Sequence, residues 1–262
     1  MTNRLFLLGR QHPVFEEPDD NAIIWRFLEF PKFVSLLSKR ALHMAHGHRL
    51  GDPWEGSLGS ATLDQLKLEA KILGIPETVF IGSNIQTFRK AAPKATAVSC
   101  WHLGEHESAA MWQLYANRGV AIQTRCSLLR GQFGVFDSNN RPTQPFSILH
   151  LGKVKYIDYT KTVIPTNNTF WPMVHKRVSF KHEQEVRLAH FSFEDIEEII
   201  KDPSHEAPDF NLPVNLDQLI EQVYISPRQP DWFLEVVKDT AAAFKFNPDR
   251  VVRSTLDKDP IF

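Results

Sequence analysis

Apolar and polar positions follow two different periods along the chain, and each period predicts a different kind of element. Strand predictions rest on runs rich in Ile, Val, Trp and Phe, and helix predictions on apolar residues spaced three or four apart. The predicted strands, in chain order, are residues 22–30, 40–46, 96–104, 120–125, 149–158, 180–190, 219–227 and 251–256. The predicted helices are residues 31–37, 62–73, 75–93, 106–117, 171–180, 193–202 and 230–244.

The order of these elements indicates the fold class. Strands and helices mix without regular βαβ alternation, which favours an α+β fold with a mixed, largely antiparallel sheet and flanking helices. No shift in composition marks a boundary, so we expect a single domain over residues 1–262 with its core at about 20–256. No window of about 18 apolar residues occurs, and no membrane span is therefore expected.

Composition narrows the class of protein but leaves its chemistry open. Of the 262 residues, 42% are hydrophobic and 23% charged, as in ordinary soluble globular proteins. The formal net charge of −1 provides no global basic field that would attract nucleic acid or an anionic membrane. Two cysteines, Cys100 and Cys126, lack CxxC spacing and form no disulfide framework, so a cytoplasmic location is the simplest expectation.

One short segment carries an unusual grouping of charges. Residues 180–190 read FKHEQEVRLAH. On a strand, Glu183, Glu185 and Arg187 would share one face, because side chains alternate with a period of two. Carboxylates held close together repel and raise each other's pKa, so the pair calls for a chemical or a structural reason. The structural explanation is a solvated strand face balanced by Lys181 and Arg187.

Polar residues also interrupt two earlier apolar stretches. Arg26 lies within the strand prediction IIWRFLEF. The stretch VSCWHLGEHESAAMWQLYA contributes Ser99, His102, Trp112 and Tyr115. A charged side chain within a strand is rarely buried unless it is paired, so Arg26 has a structural explanation as an edge arginine bound to one of the later glutamates.

Five phrases of the sequence resemble a large bacterial family that is known only as a domain of unknown function. They span about Ile23 to about Ala189 and read IIWRFLEFPKFVSLLSKRALHMA, LGDPWEGS, SCWHLGEHESAAMWQLYANRGVAIQT, GKVKYIDYTK and HKRVSFKHEQEVRLA. The family implies no activity of its own. The order of the polar interruptions, however, is similar to that of ADP-ribosyltransferase-like folds. Those folds have an early Arg or His strand, an aromatic or Ser-bearing strand before a helix, and a late strand with a catalytic Glu.

That second resemblance implies an NAD-using transferase that would act as a toxin or as a phage-defence effector. Glu185 would be the main catalytic carboxylate, Glu183 its partner and Arg26 the phosphate contact. Ser99, His102, Trp112 and Tyr115 would surround the nucleotide. Cleavage of the NAD glycosidic bond builds an oxocarbenium-like cation, which a carboxylate can stabilise. No metal is expected, the acceptor is open between protein and nucleic acid, and the Ser-Thr-Ser triplet of several such transferases is missing.

Further charged residues are secondary candidates. They are Asp52, Glu55, Lys176 and Arg187. Asp52 and Glu55 flank Trp54, where they either line the mouth of a site or serve the chemistry of a turn. HLGEH at 102–106 matches the H-x-x-E-H zinc pattern, but Gly104 interrupts the helix that this pattern requires.

Two other functions fit parts of the same pattern. A metal-dependent nuclease of a defence system would use Glu185 and Arg187 with Asp158 upstream, because such sites hold Mg²⁺ through carboxylates. A non-enzymatic sensor or adaptor module would use the acids only as ion-pair partners of Arg26 and Arg187. Dependence on metal separates the nuclease from the transferase.

Overall fold

The computed structural model describes residues 5–137, 139 and 142–260, and its main feature is a mixed sheet of eleven strands. The strands are β1 Leu5–Leu8, β2 Ile23–Glu29, β3 Ala41–His46, β4 Thr96–Leu103, β5 Gly119–Arg125, β6 Gly134–Val135, β7 Phe146–Lys153, β8 Lys155–Ile157, β9 His175–Arg177, β10 Glu185–Phe191, β11 Phe210–Pro213, β12 Gln222–Ile225 and β13 Val251–Arg253. The helices are α1 Phe30–Lys39, α2 Ser60–Leu73, α3 Glu77–Phe80, α4 Ser83–Ala91, α5 Ala109–Tyr115, α6 Cys126–Arg130, α7 Phe193–Lys201, α8 Leu216–Leu219 and α9 Asp231–Ala243.

Most neighbouring strands of the sheet run antiparallel. The order is β13-β12-β5-β2-β4-β10-β7-β1-β6, with β3 beside the start of β4 and β11 beside β3. Parallel pairing joins β12 to β13 and β1 to both β6 and β7, while β8 and β9 form a separate two-stranded parallel sheet. The expected α+β class, with a largely antiparallel mixed sheet and flanking helices, is confirmed. No helix in the described part of the chain is long and apolar enough to cross a membrane.

The two faces of the central strands β4 and β10 pack against different layers. Val186 and Leu188 enter the main hydrophobic core, so Glu185 and Arg187, at the alternate positions of β10, face the other way. The register places Glu185 opposite His102 and Arg187 opposite Cys100. Directly opposed residues of an antiparallel pair lie on the same face, so all four side chains lie on the face opposite the main core.

Residues 171–180 do not form the helix that their apolar spacing predicts. The segment consists of a 3₁₀ helix at Trp171–Val174, then β9, and then the start of a second 3₁₀ helix at Val178–Glu183. Pairing of β9 with β8 prevails over the local helical period. Gln184, with φ of 40°, ends the second 3₁₀ helix, and β10 begins only at Glu185. The predicted strand over 180–190 is therefore correct only from Glu185 onward.

A smaller core cluster encloses a pair of histidines. The ring of His150 stacks on Phe15 with centroids 5.1 Å apart and lies 4.5 Å from the ring of His12. Phe170 meets His150 edge-on at 5.2 Å. Burial, followed by the charges of His12 and His190, lowers the pKa of His150 to about 4. His150 is therefore a neutral aromatic packing residue at neutral pH.

Replacing His150 with Phe is expected to flatten the stability profile between pH 6.5 and pH 4. Within this window the unfolded chain takes up a proton that the folded chain binds less readily, so the wild type loses stability as the pH falls. The wild type loses about 2 kcal/mol of unfolding free energy across this window, after allowance for partial exposure of the ring. Urea unfolding at several pH values measures it, and His106→Phe, at an exposed histidine, controls for loss of an imidazole. An unchanged slope in His150→Phe would contradict the prediction.

Candidate functional site

Five charged side chains form a buried ion-pair network on the face of β10 opposite the main core. The members are Glu55, Lys176, Glu183, Glu185 and Arg187, and none of these side chains is more than 7% exposed. Removal of a charge from water costs several kcal/mol unless the charge is paired and hydrogen-bonded. Each member must therefore find its partner inside the network.

Arg187 is the centre of the network. Its Nε donates to Glu185 Oε1 at 2.6 Å and its Nη2 to Glu185 Oε2 at 2.9 Å, which is a bidentate pair. Nη2 also donates to Glu55, and Nη1 donates to the Met173 backbone oxygen at 2.7 Å. Burial would lower the pKa of Arg187, but the Glu185 and Glu55 carboxylates outweigh it and hold that pKa well above its usual value.

Lys176 joins the three glutamates. Its Nζ lies 3.2 Å from Glu55 Oε1 and 3.4 Å from Glu185 Oε2, and it also contacts Glu183. Burial would raise the pKa of Glu185, but Arg187 and Lys176 outweigh it and lower that pKa to about 2. Burial likewise opposes the charge of Lys176, and the carboxylates overcome it and raise the Lys176 pKa. Glu185, Lys176 and Arg187 are therefore charged at neutral pH.

Glu183 reaches the network from outside the strand. It ends the 3₁₀ helix before β10, so the prediction that it shares a strand face with Glu185 is wrong, whereas Glu185 and Arg187 do share one. Tyr115 Oη donates to Glu183 Oε1 at 2.7 Å, and His102 Nδ1 lies 2.6 Å from the Glu183 backbone oxygen. The two glutamates meet because both contact Lys176. Of the residues predicted around the nucleotide, His102 and Tyr115 therefore contact Glu183.

Arg26 and Ser99 lie on the other face of the sheet. Arg26 Nη2 donates to the His43 backbone oxygen at 2.6 Å, and its guanidinium lies 5.7 Å from the ring centre of Trp101. Trp101 belongs to the main core, and its Nε1 donates to Ser99 Oγ at 3.0 Å. The placement of Arg26 and Ser99 beside Glu185 is therefore wrong. Within the described residues Arg26 forms no ion pair with a glutamate, and burial lowers its pKa to about 10.

Trp112 is a core residue and has no face free for stacking on a ligand. It is 3% exposed, it meets Phe27 edge-on at 5.1 Å, and its Nε1 donates to Glu107 at 2.9 Å. The predicted placement of Trp112 beside the nucleotide is therefore wrong. His106, at the other end of HLGEH, lies before helix α5, so this segment is not the helix that a zinc motif needs.

A cleft of about 1320 Å³ lies beside the network. Its walls come from the loop 47–58, from helices α2, α3 and α4, and from residues 165–173. Within the described part of the network, Glu55 is the member that lines the cleft. Asp52 also lines it, and Arg177 binds the Asp52 carboxylate in a bidentate pair at 2.8 and 2.9 Å. The DPWEG loop thus brings two acids to the cleft, and Arg177 holds one of them, Asp52, in place.

One tyrosine and one cysteine complete the surroundings of Glu185. Tyr156 Oη accepts a hydrogen bond from the Glu185 backbone nitrogen at 2.8 Å, and burial raises the Tyr156 pKa. Burial, followed by the charge of Glu185, raises the pKa of the Cys100 thiol well above its usual value. Sequence reasoning did not select Tyr156, although it lies within the phrase GKVKYIDYTK. That phrase is the signal that could have identified it.

The described residues contain no group of three or more His, Cys, Asp and Glu side chains placed to hold a metal ion. Asp158, the upstream acid of the nuclease alternative, lies in a surface turn, where its carboxylate accepts from Thr160 and pairs with Lys161 at 3.4 Å. Comparison with protein-family models, with curated proteins and with solved structures finds no match to this chain. The two family resemblances therefore stay predictions.

Proposed function

We propose that the cleft binds NAD and that the protein cleaves the bond between nicotinamide and ribose, as an ADP-ribosyltransferase-like enzyme or NAD glycohydrolase. One observation carries the proposal: Glu55 lines the cleft while Lys176 and Arg187 bind its carboxylate within the buried network. A carboxylate fixed beside a ligand-sized cleft is the group needed to stabilise an oxocarbenium-like ribose.

The formal charges of the network support this assignment. Three carboxylates face two cations, which leaves one negative charge in excess in a site shielded from water. A cation that develops at the ribose would be attracted to that excess, since charges interact more strongly where water is excluded. The apolar walls of the cleft, which include Phe80 and Phe88, suit the flat rings of a dinucleotide.

Glu55 takes the role that the resemblance to ADP-ribosyltransferase-like folds implied for Glu185. Glu55 lines the cleft, whereas Glu183 and Glu185 do not. We therefore assign Glu185 and Glu183 as positioning residues, which hold the two cations in place. The acceptor of the ADP-ribosyl group stays open between water, protein and nucleic acid. Consumption of cytoplasmic NAD by a toxin or phage-defence effector is the biological role we propose.

Replacing Glu55 with Gln is expected to slow nicotinamide release from NAD by at least about 100-fold. The amide keeps the size of the side chain and removes the charge, so the dissociation constant for NAD should change little. Chromatography of released nicotinamide, with and without EDTA, measures the rate, and calorimetry measures binding. Glu69→Gln, at a cleft carboxylate outside the network, is the matched control. Equal rates for wild type and Glu55→Gln, or no NAD binding by the wild type, would contradict the proposal.

A non-enzymatic sensor or adaptor module is the second candidate. The observation that favours it is the pairing of every network carboxylate with a cation, which a purely structural cluster also requires. In that case Glu55→Gln would change the free energy of unfolding, and neither the wild type nor the variant would bind or cleave NAD. Thermal unfolding of both proteins with and without NAD separates the two candidates.

A further inference from the structure

The wall of the cleft carries cations that have no counter-charge. Arg89 is half-buried on helix α4, and Lys90 beside it is exposed. Within the described residues neither one forms an ion pair or hydrogen bond. The acids that line the same cleft are all engaged: Asp52 by Arg177, Glu55 by the network and Glu69 by a glutamine. Among the described residues the cleft therefore presents two cations without a counter-charge, Arg89 and Lys90, and one such acid, Glu69, whose partner is a neutral glutamine.

Arg89 has lost hydration without gaining a partner. Burial lowers the pKa of its guanidinium, and no acidic group acts against that shift. Arginine stays charged at neutral pH in spite of such a shift, so the desolvation cost is left without compensation. A bound anion would compensate it, because two parallel N–H donors of a guanidinium match two oxygens of one phosphate.

We propose that Arg89 binds a phosphate group of the ligand. The substrate class of this cleft is then a nucleotide with a pyrophosphate, and not a nucleoside or a free base. The inference rests on the proposed function and deepens it. Lys90 adds a second positive charge to the same wall, and Phe88 and Phe80 provide apolar surface for the base. Glu55, on the same cleft, remains the group that acts on the ribose.

Calorimetric titration with ADP-ribose and with adenosine tests the phosphate contact. We expect Arg89→Ala to weaken ADP-ribose binding roughly 10-fold to 100-fold, the range for a hydrogen-bonded charged contact, and to leave adenosine binding within about 2-fold. Arg89→Lys should lie between Arg89→Ala and the wild type, because it keeps the charge and loses the fork. Arg118→Ala, at an exposed arginine outside the cleft, is the matched control and should behave as wild type.

The outcomes for the contact and for the enzyme are distinguishable. Equal weakening of ADP-ribose and adenosine by Arg89→Ala, or ADP-ribose binding no tighter than adenosine in the wild type, overturns the phosphate contact. If the wild type releases nicotinamide and Arg89→Ala binds ADP-ribose as tightly as the wild type does, only the phosphate contact is overturned. ADP-ribose binding that needs Arg89, in a protein that never cleaves NAD, leaves the contact in place and overturns the proposed enzyme. Failure of the wild type to bind either ligand overturns both.

Discussion

Replacing Arg187 with Met is expected to lower the free energy of unfolding by about 3–5 kcal/mol, because it leaves carboxylates buried without their main partner. Glu55 and Glu185 both bind Arg187, and Lys176 would be the remaining cation for three acids. Domains of ordinary size unfold at a cost of about 5–15 kcal/mol, so the loss is a large share of the total. Urea unfolding followed by circular dichroism measures it.

A double variant distinguishes loss of charge balance from loss of packing. Glu185→Gln together with Arg187→Met removes one anion along with the cation, and the pair should cost less than the sum of the two single changes. Arg187→Lys keeps the charge with fewer donors and provides a folded comparison if Arg187→Met does not fold. Arg118→Met, at an exposed arginine, should stay within about 0.5 kcal/mol of wild type. A cost below about 1 kcal/mol for Arg187→Met would contradict the account of the network.

Acidification is expected to remove about 3 kcal/mol of stability through Glu185 alone. The folded-state pKa of about 2 lies below the ordinary value of 4.5, so the unfolded chain binds the proton more readily. The contribution is complete above pH 4.5 and is lost as the pH falls towards 2. This window overlaps that of His150 only between about pH 4 and pH 4.5, so the loss below pH 4 reports on Glu185 and not on His150.

The measurement compares wild type with Glu185→Gln in urea from about pH 6 to about pH 3. The difference in unfolding free energy between the two proteins should shrink as the pH falls, because the wild-type advantage depends on the ionised carboxylate. Glu77→Gln, in the short helix α3 outside the network, is the matched control. A difference that stays constant over the whole range would contradict the lowered pKa of Glu185.

Local periods in the sequence predicted much of the fold. The alternation around Glu185 and Arg187 was sufficient to predict that these two side chains share a face, and β10 confirms it. Strand and helix predictions with long, clear periods, such as 22–30 and 230–244, correspond to β2 and α9. Hydrophobic periodicity depends on residues a few positions apart, and this range is sufficient to predict a single strand or helix.

The composition of the site depends on contacts that no local period encodes. Glu55 contacts Arg187 across 132 positions of the chain, so only the tertiary fold brings the pair together. Lys176 lies in β9, where pairing with β8 overrides the helical spacing of its segment. Arg26 was misplaced for a related reason, since alternation fixes which residues of one strand share a face but not which face meets another strand.

The buried network also constrains how the sequence can change over generations. Three acids and two bases share one water-excluded space, and they come from the DPWEG loop, β9, the 3₁₀ helix before β10 and β10 itself. A neutral replacement at Arg187 becomes tolerable only when an acid such as Glu55 is replaced as well. These positions should therefore be inherited as a set, and a descendant chain that loses the Glu55 carboxylate is expected to have changed its basic partners too.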